Sequence, residues 1–439
     1  MEISEQEILR RRDMRGVLTF TIDPADAKDF DDALSFAAQE DGTWQVGVHI
    51  ADVSHYVAFD SDIDRDAYER GTSIYYVDHV DPMLPERLCN DLCSLRPDED
   101  KLCMSVVFAV APDARVLKYK ICRTVIRSDA RLSYEQAQQL LDSPDGTPLS
   151  DALTVINGLA RQMRKARFAA GAMELEQEEV RFILDKNGHP VDILFHKPTD
   201  ANHLIEEWML LANRTVATHL RDRLMVFRVH DKPDPGKLAD LEDFRRHMGK
   251  RIQPQVLELL TIRAMAKAVY STRNIGHYGL AFPYYTHFTS PIRRYPDLMV
   301  HRLVERYLLG GKRPVPERRD LEEACRHCSE MEQYAQAEER ASVKMFQALW
   351  ISDHVGEEFD GHICGVTEFG LFVQLDDNHC VGLIHSSQVV PGDYLKFDEK
   401  NYRLIAAGSG RTFTLGDPIR VRVVRADVEK RQIDFIPVE

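Results

Sequence analysis

The residues best suited to chemistry are five aspartates that lie within ten positions of one another. Apolar residues on either side predict a strand over 17–22 that enters the cluster and a strand over 33–36 that leaves it. The pair Asp23-Pro24 predicts a turn between them, because proline cannot continue a ladder of backbone hydrogen bonds. So many carboxylates between buried strands need a cation, and oxygen ligands without histidine or thiol favour Mg²⁺ or Mn²⁺ over Zn²⁺. The five are Asp23, Asp26, Asp29, Asp31 and Asp32.

Two other interpretations of this acidic stretch have to be compared with a metal site. A loop exposed to solvent would also explain many aspartates, although apolar strands would not usually border it so closely. A calcium-binding loop between two helices requires glycine at its sixth position and glutamate at its twelfth. Counted from Asp23, those positions hold Lys28 and Leu34, which argues against such a loop. A divalent-metal site is therefore favoured, and the solvent-exposed loop stays open.

The stretch from Ile22 to Ser35 resembles the signature of the RNase II/RNase R (RNB) family of exoribonucleases. The resemblance implies a metal-dependent hydrolytic centre in which Asp31 and Asp32 are catalytic, the latter being the most critical for turnover. In a two-metal centre, one cation activates water while the other stabilises the leaving oxygen of an in-line phosphoryl displacement. Asp26 falls outside the family pattern I-D-x5-D-x-D-D. The aspartates that match it, and that the resemblance makes metal ligands, are Asp23, Asp29, Asp31 and Asp32.

A second chemistry-bearing segment is T-S-P-I-R-R-Y-P-D at residues 289–297. Ser290 and Pro291 predict a helix start, with serine as N-cap and proline in the first position. Arginines in a first turn oppose the helix dipole, which makes sense if an anion binds there. An ion pair from Arg293 or Arg294 to Asp297 is an equally good interpretation from the residues alone. The segment also resembles the family's S-P-I-R motif, which implies that Arg293 holds the phosphate at the active site.

Two further segments carry candidate RNA contacts. Tyr75 and Tyr76 lie in a G-T-S-x-Y loop, where aromatic rings could stack on unpaired bases or simply pack in the core. The resemblance implies that Tyr75 clamps the 3′-terminal nucleotide. It likewise implies that Glu206, in a segment similar to the family's I-E-E-x-M, meets the nucleotide near the 3′ end; a solvated helix face is the alternative. Leu175 stands where some family members have a second stacking phenylalanine, so that second clamp is in doubt.

Two other groups of possible metal ligands are weaker. His49, Asp52 and His55 could hold a softer metal, but His49 ends a predicted strand and His55 follows a turn, so a shared geometry is not expected. Cys325 and Cys328 have the spacing of a thiolate pair, but they lie within a predicted helix and lack a second pair. Structural roles are favoured for both groups.

The predicted elements favour an α+β fold. Strands over 44–53, 104–110 and 116–126 precede mainly helical segments, the pattern of a large mixed domain. The helical segments are predicted over 63–70, 134–141, 152–168, 202–224, 238–248, 256–270 and 317–350. The resulting domains are a short extension (1–15), an RNB catalytic domain (16–355) and a small all-β domain (356–439).

Short β-branched and aromatic strands separated by glycine and aspartate turns predict a small closed barrel after residue 355. Alternation along 369–373 should expose aromatic rings on one face, although ordinary core aromatics remain an alternative. The segments G-V-T-E-F-G-L-F-V and G-L-I-H resemble the S1 RNA-binding fold. The residues that this resemblance implies for RNA binding are Phe369, Phe372, His385, Asp427 and Arg431.

Composition limits the class of protein. The net charge of −15, from 56 basic and 71 acidic residues, argues against a general polyanion binder but leaves room for a local basic channel. The sequence contains no apolar run of membrane-spanning length and no signal peptide at its start. Eight scattered cysteines predict a reducing, cytoplasmic compartment. A monomer without membrane contact is expected.

The resemblance, which covers nearly the whole chain, implies a processive hydrolytic 3′→5′ exoribonuclease. Its substrate would be single-stranded RNA, its products 5′-mononucleotides and its cofactor Mg²⁺, or Mn²⁺. The two cold-shock-type domains that usually precede the catalytic domain do not occur in this sequence, nor does a basic tail after the S1 domain, so weaker or less selective capture of RNA is expected. A non-catalytic RNA-binding scaffold and a metal-dependent phosphohydrolase of small substrates are the alternatives.

Overall fold

The structure is a computed structural model and describes residues 3–173, 178–236, 260–261 and 264–438, together with residues 239 and 246. Its apolar side chains form two large clusters. The first surrounds the fully buried side chains of Phe108 and Trp208. The second fills a barrel near the C-terminus, around Leu371 and Val421. Two cores match the predicted succession of a large mixed domain and a small all-β domain.

The larger core is built on a seven-stranded sheet with the strand order β1-β8-β7-β4-β3-β2-β9. Its neighbours are antiparallel except for β1 with β8 and β2 with β9. The two remaining strands of this region, β5 and β6, form a separate hairpin. The bounds are β1 (Arg12–Asp13), β2 (Thr19–Asp23), β3 (Asp32–Ala38), β4 (Trp44–Ala51), β5 (Ile74–Tyr75), β6 (Val80–Asp81), β7 (Asp100–Val110), β8 (Val116–Arg127) and β9 (Ala130–Ser133).

Helices cover this sheet, and two small two-stranded sheets accompany them: the hairpin β10–β11 and the antiparallel pair β12–β13, whose strands are far apart in the sequence. The described α-helices are α1 (Glu5–Leu9), α2 (Val53–Tyr56), α3 (Asp62–Arg70), α4 (Tyr134–Asp142), α5 (Pro148–Ala169), α6 (Asp200–His219), α7 (Tyr295–Leu308), α8 (Arg318–Ser352) and α9 (Ser386–Val389). The hairpin strands are β10 (Glu179–Leu184), β11 (Pro190–His196), β12 (Phe227–Val229) and β13 (Val269–Ser271). Among the described residues, no helix is both long enough and apolar enough to cross a membrane.

The helix predicted to begin at Ser290 is wrong: α7 begins at Tyr295, with Arg294 as its N-cap. Residues 290–293 form a single turn instead: the N–H of Arg294 donates to the carbonyl of Ser290 at 3.0 Å, but the next N–H, of Tyr295, donates to the carbonyl of Gly71 at 2.9 Å. The N–H of Ser290 donates to Oδ1 of Asp297 at 2.8 Å, and the carbonyl of Arg293 accepts from the N–H of Ser73 at 3.0 Å. Hydrogen bonds to the Asp297 side chain and to the loop at 71–73 thus prevent this turn from continuing as the predicted helix.

Two other predicted helices have a different outcome. The helix predicted over 238–248 lies outside the described residues except for residues 239 and 246. The helix predicted over 256–270 is wrong at its C-terminal end, because residues 269–271 form β13. There Arg228 of β12 pairs with Tyr270 of β13 across an antiparallel ladder. Pairing with a distant strand has overridden the local helical pattern.

The C-terminal strands form a closed five-stranded barrel in the order β14-β15-β16-β21-β20, which confirms the predicted fold class. A three-stranded sheet, β17-β18-β19, is inserted between β16 and β20. The predicted boundary at residue 355 falls between the end of α8 and the start of β14. The strands are β14 (Glu358–Thr367), β15 (Gly370–Leu375), β16 (Val381–His385), β17 (Leu395–Asp398), β18 (Arg403–Ala406), β19 (Thr412–Thr414), β20 (Pro418–Asp427) and β21 (Gln432–Pro437).

Candidate active site

The acidic loop is held between two neighbouring strands of the sheet. Asp23 is the last residue of β2 and Asp32 is the first residue of β3. Because Phe20 faces Leu34 across these antiparallel strands, the loop leaves and returns at adjacent positions of the sheet. The fold therefore gathers the aspartates at one end of two paired strands.

Backbone groups within the loop are tied to the body of the domain. The N–H of the buried Phe30 donates to Oγ of Ser94 at 3.0 Å, and the Ser94 hydroxyl donates to the carbonyl of Lys28 at 2.7 Å. Arg131 donates to the carbonyl of Pro24 at 2.8 Å, and its guanidinium carbon lies 5.4 Å from the centroid of the Phe30 ring. These contacts fix the loop backbone, so the carboxylates are preorganised.

The electrostatics of the cluster are unfavourable without a cation. Burial raises the pKa of the carboxyl groups of Asp23, Asp29, Asp31 and Asp32. Neighbouring carboxylates raise the pKa of Asp23 and of Asp31 further. At Asp29, Asp31 and Asp32 the positive charge of Arg293 lowers the pKa, but not enough to cancel the effect of burial. The cluster holds more negative charge than its surroundings compensate.

Two carboxylate oxygens also lack donors. Oδ2 of Asp23 and Oδ2 of Asp31 are buried without a hydrogen-bond partner. Among the described residues, no group of three or more histidine, cysteine, aspartate or glutamate side chains is arranged closely enough to hold a metal ion without rearrangement. One oxygen of Asp31 instead accepts from the N–H of Ile292 at 2.8 Å, and one of Asp29 accepts from the Tyr75 hydroxyl at 3.4 Å. Unpartnered hard oxygen donors with raised pKa values fit a divalent cation, which would supply the missing positive charge.

The two adjacent arginines of the S-P-I-R-R segment have different environments. Arg294 donates to Oδ1 of Asp297 at 2.8 Å, and the Asp297 side chain is fully buried. This is the ion pair left open by the sequence, and it is structural. The side chain of Arg293 is 42% exposed, and its Nε lies 3.7 Å from Oδ2 of Asp31, too far for a hydrogen bond. Arg293 is therefore the arginine that faces the acidic loop. One of its terminal nitrogens donates to Oγ of Ser290 at 3.2 Å, and the other N–H groups of its guanidinium form no hydrogen bond with a described residue.

Tyr75 reaches the same place from a third segment. The carbonyl of Arg293 accepts from the Thr72 hydroxyl at 2.9 Å as well as from Ser73, so the tyrosine loop is bonded to the arginine segment. The Tyr75 N–H donates to Oε1 of Glu339 on α8 at 3.1 Å, and the ring is 38% exposed. Loop, arginine and acidic cluster are thus brought together, and the alternative of simple core packing does not apply to Tyr75.

Gly71, which precedes this loop, is required by the backbone. It ends α3 with a φ of 68°, in the left-handed region that favours glycine. An added Cβ would lie 2.7 Å from Cβ of Met331 on α8. The close approach of α8 therefore depends on this glycine.

The other candidate RNA contacts of the first domain are less clearly placed. The ring of Tyr76 stacks on that of His79, with centroids 4.6 Å apart. On α6, Glu207 is buried in an ion pair with Arg167, whereas Glu206 is about half exposed and lies 3.2 Å from the same guanidinium. The role of Glu206 near the 3′ end stays a prediction. Leu175 lies outside the described residues, and so the second clamp stays untested.

The rival metal groups have structural partners. His49 is buried between the hydroxyls of Ser35 and Ser105, each 2.8 Å from a ring nitrogen, and burial lowers its pKa to about 3. Asp52 forms a buried ion pair with Arg11 at 2.7 Å. The cysteines at 325 and 328 are buried free thiols on α8. These residues support the sheet and the helix packing.

In the barrel, Phe369 is 48% exposed and its ring packs edge-to-face against Phe372, with centroids 5.9 Å apart. His385 is also exposed, at the end of β16. Asp427 accepts from the N–H of Lys430 at 3.0 Å and thereby closes the turn that carries Arg431. The alternation predicted from residue 369 onward begins only at Leu371, because Phe369 lies in the turn before β15; its exposure there excludes a purely internal role for Phe369.

The residues of α8 that bind the tyrosine loop were not predicted from the sequence. Glu339 bonds the tyrosine loop across a separation of 264 residues, and the hydroxyl of Ser342 accepts from the N–H of Val77 at 3.1 Å. A mid-helix glutamate next to an arginine resembles any solvated helix face, so no local signal distinguished it.

Together these features define a protein class: an α+β domain with a buried carboxylate site, followed by a barrel of the oligonucleotide-binding type. Comparison with family models agrees with this class. The RNB domain matches residues 11–310, and the S1 RNA binding domain matches residues 352–436. The first match covers more than half of the sequence, and the chain therefore belongs to the RNB family.

Two ribonucleases R are similar to this protein over its whole length. It is 40% identical to Ribonuclease R of Thermotoga maritima, covering 100% of this chain and 66% of that protein. It is also 40% identical to Ribonuclease R 1 of Lactococcus lactis, covering 99% of this chain and 57% of that protein. The chain thus spans less than two thirds of the length of either relative.

A solved structure has the same fold. Mycoplasma genitalium RNase R in complex with ribose-methylated single-stranded RNA superimposes with a TM-score of 0.93 at 27% identity, over 100% of this chain and 74% of that one. The same protein in complex with double-stranded RNA gives a TM-score of 0.87.

Proposed function

We propose that this protein is a processive hydrolytic 3′→5′ exoribonuclease that degrades single-stranded RNA to 5′-mononucleotides. The observation that carries this proposal is the buried carboxylate cluster, with its unpartnered oxygens, beside an arginine and a tyrosine. Membership of the RNB family and similarity to ribonucleases R over the whole chain support it.

Divalent cations, Mg²⁺ or Mn²⁺, would be held by the four aspartates that match the family pattern: Asp23, Asp29, Asp31 and Asp32. When bound, they supply an activated water and stabilise the leaving oxygen of the phosphodiester. Asp31 and Asp32 are the proposed catalytic carboxylates. Asp26 is exposed and takes no part.

Arg293 is the proposed third catalytic residue, because its half-exposed guanidinium can bind the non-bridging oxygens of the scissile phosphate at two points. Tyr75 would stack on the terminal base. Burial raises the pKa of the Tyr75 phenol, so the hydroxyl keeps its proton and remains a donor to Asp29. Glu206 would meet the nucleotide near the 3′ end, and contacts to the 2′-hydroxyl would favour RNA over DNA.

The barrel would hold the incoming strand by stacking and by charge. Phe369, Phe372 and His385 form the proposed aromatic face, with Asp427 and Arg431 beside it. A non-catalytic scaffold would not need an intact set of four aspartates, and an enzyme of small substrates would not need this barrel. The eight free cysteines support a reducing, cytoplasmic compartment, and a monomer remains the expected state.

The proposal is tested with single-stranded RNA carrying a label at its 5′ end, incubated with the protein and Mg²⁺. Progressive shortening of the labelled strand, with release of nucleoside 5′-monophosphates, is expected. RNA that is bound but stays intact would favour the scaffold. Internal cleavage products would contradict the polarity, and hydrolysis of small phosphodiesters alone would favour the small-substrate enzyme.

A further inference from the structure

A groove of about 730 Å³ lies between α8 and one side of the barrel. Phe369 and Phe372 form part of one wall, and Arg431 lies beside them. The opposite wall is the surface of α8, where the groove is lined by Arg340 and Lys344. Aromatic rings on one side and cations on the other are the combination that single-stranded nucleic acid requires.

The two cations of α8 are available to a ligand. Arg340 and Lys344 are both exposed, and a spacing of four residues places them on the same face of the helix. Neither forms an ion pair or hydrogen bond with another described residue. Elsewhere on α8, by contrast, Arg319 lies 3.1 Å from Asp320, and Arg326 lies 3.9 Å from a glutamate. Among the described residues of this helix, the arginine and lysine side chains that form neither an ion pair nor a hydrogen bond are therefore those at the groove.

The groove lies next to the candidate active site. Glu339, which binds the N–H of Tyr75, immediately precedes Arg340, and Ser342, which binds the same loop, lies between Arg340 and Lys344. At 1.5 Å per residue, the positions from Glu339 to Lys344 span only about 8 Å along the helix axis. One segment of α8 therefore touches the tyrosine loop on one side and the groove on the other.

The same helix also fixes the barrel. Ala348 and Ile351 of α8 are fully buried in the apolar cluster of the barrel. The Gln347 side chain donates to the carbonyl of His379 at 3.1 Å. One wall of the groove is α8 itself, and the barrel that forms the other wall packs against the same helix. The groove is therefore part of the folded structure and is not opened by a hinge.

We propose that the RNA strand crosses α8 through this groove on its way from the barrel to the active site, with Arg340 and Lys344 binding successive phosphates. This inference rests on the proposed function, because it assigns a path to the same substrate. Phosphate contacts of this kind are independent of base sequence. They would hold the strand after each cleavage and so favour repeated hydrolysis of the same molecule.

The test measures RNA binding in the Asp32→Asn background with Arg340→Gln and Lys344→Gln combined. Removing two phosphate contacts should lower the slope of log affinity against log salt by about 1.4, since each contact to a single strand contributes about 0.7. Between about 50 and 200 mM salt, the loss of affinity should therefore be about sevenfold smaller than in the parent. The probe is an RNA of about 20 nucleotides, longer than one barrel covers.

Arg319→Gln combined with Arg326→Gln is the matched control, because it removes two exposed arginines from the same helix away from the groove. The control should keep the parental slope. An unchanged slope in the groove variant, or an equal reduction in the control, would overturn the proposal. Because binding is measured without hydrolysis, failure of the proposed activity would be seen separately, as intact RNA with the wild-type protein.

Discussion

The adjacent arginines 293 and 294 give the sharpest test of how this site is built. Arg294→Gln leaves the fully buried Asp297 carboxylate without its partner. Breaking a buried ion pair from one side costs about 3–5 kcal/mol. Arg293→Gln removes a half-exposed side chain whose nearest acid, Asp31, lies 3.7 Å away, so it should cost under about 1 kcal/mol of stability.

For hydrolysis of RNA by the folded protein, the order is reversed: Arg293→Gln should have the larger effect and Arg294→Gln the smaller. If Arg293 stabilises charge on the phosphate, its loss should lower kcat by about 10²–10³-fold, the usual effect of removing one such donor. Urea unfolding followed by tryptophan fluorescence, to which the buried Trp208 contributes, together with RNA hydrolysis in dilute buffer, measures both quantities. Equal destabilisation by the two substitutions, or wild-type hydrolysis by Arg293→Gln, would refute this division of roles.

Three further outcomes follow from the acidic loop, the glycine before the tyrosine loop, and the barrel. Burial raises the pKa of the four aspartates of the pattern, so the metal-free folded state binds more protons than the unfolded chain and loses stability as pH rises through the raised pKa values. A divalent cation must displace those protons, so the rise in Tm caused by Mg²⁺ should increase with pH. The Asp26→Asn control should show the same increase. A rise in Tm that does not depend on pH would contradict metal binding by this cluster. Gly71→Ala should lower the free energy of unfolding by about 1–3 kcal/mol more than Gly146→Ala, since both positions have positive φ but only the former meets Met331; equal losses in urea denaturation would show that the contact is relieved. Phe369→Ala should weaken RNA binding in the absence of divalent cations by about 1–3 kcal/mol, measured by fluorescence anisotropy, and unchanged affinity would exclude stacking on this ring.

The fold class and the acidic loop could be predicted because their signals are local. Alternating and continuous apolar runs predicted the strands around Asp23 and Asp32, with bounds shifted by a few residues at each end. The barrel followed from short strands and turn residues, and the partial exposure of Phe372 followed from the alternation along β15, whereas Phe369 is exposed because it lies in the turn before that strand. Each of these inferences needs only neighbours along the chain.

What could not be predicted depends on contacts between distant segments. The serine and proline at 290–291 carry a good helix-start signal, yet Asp297 and the loop at 71–73 take the backbone groups that the helix would use. Likewise, nothing near Arg293 and Arg294 indicates which one is buried, since the answer is fixed by packing across more than two hundred residues. The partnership of Glu339 with Tyr75 has the same origin. Local patterns identify chemistry-bearing residues, but tertiary contacts decide which of them face the site.

The central claim is that the buried aspartates perform hydrolysis and do not merely shape an RNA-binding surface. The most direct measurement compares wild-type protein with Asp32→Asn on 5′-labelled single-stranded RNA in Mg²⁺, recording binding and hydrolysis on the same samples. The substitution replaces one carboxylate oxygen with an NH2 group of nearly the same size, so the fold and the affinity for RNA should be retained while shortening of the strand is lost. Loss of RNA binding in parallel with hydrolysis, or continued shortening by Asp32→Asn, would contradict the account.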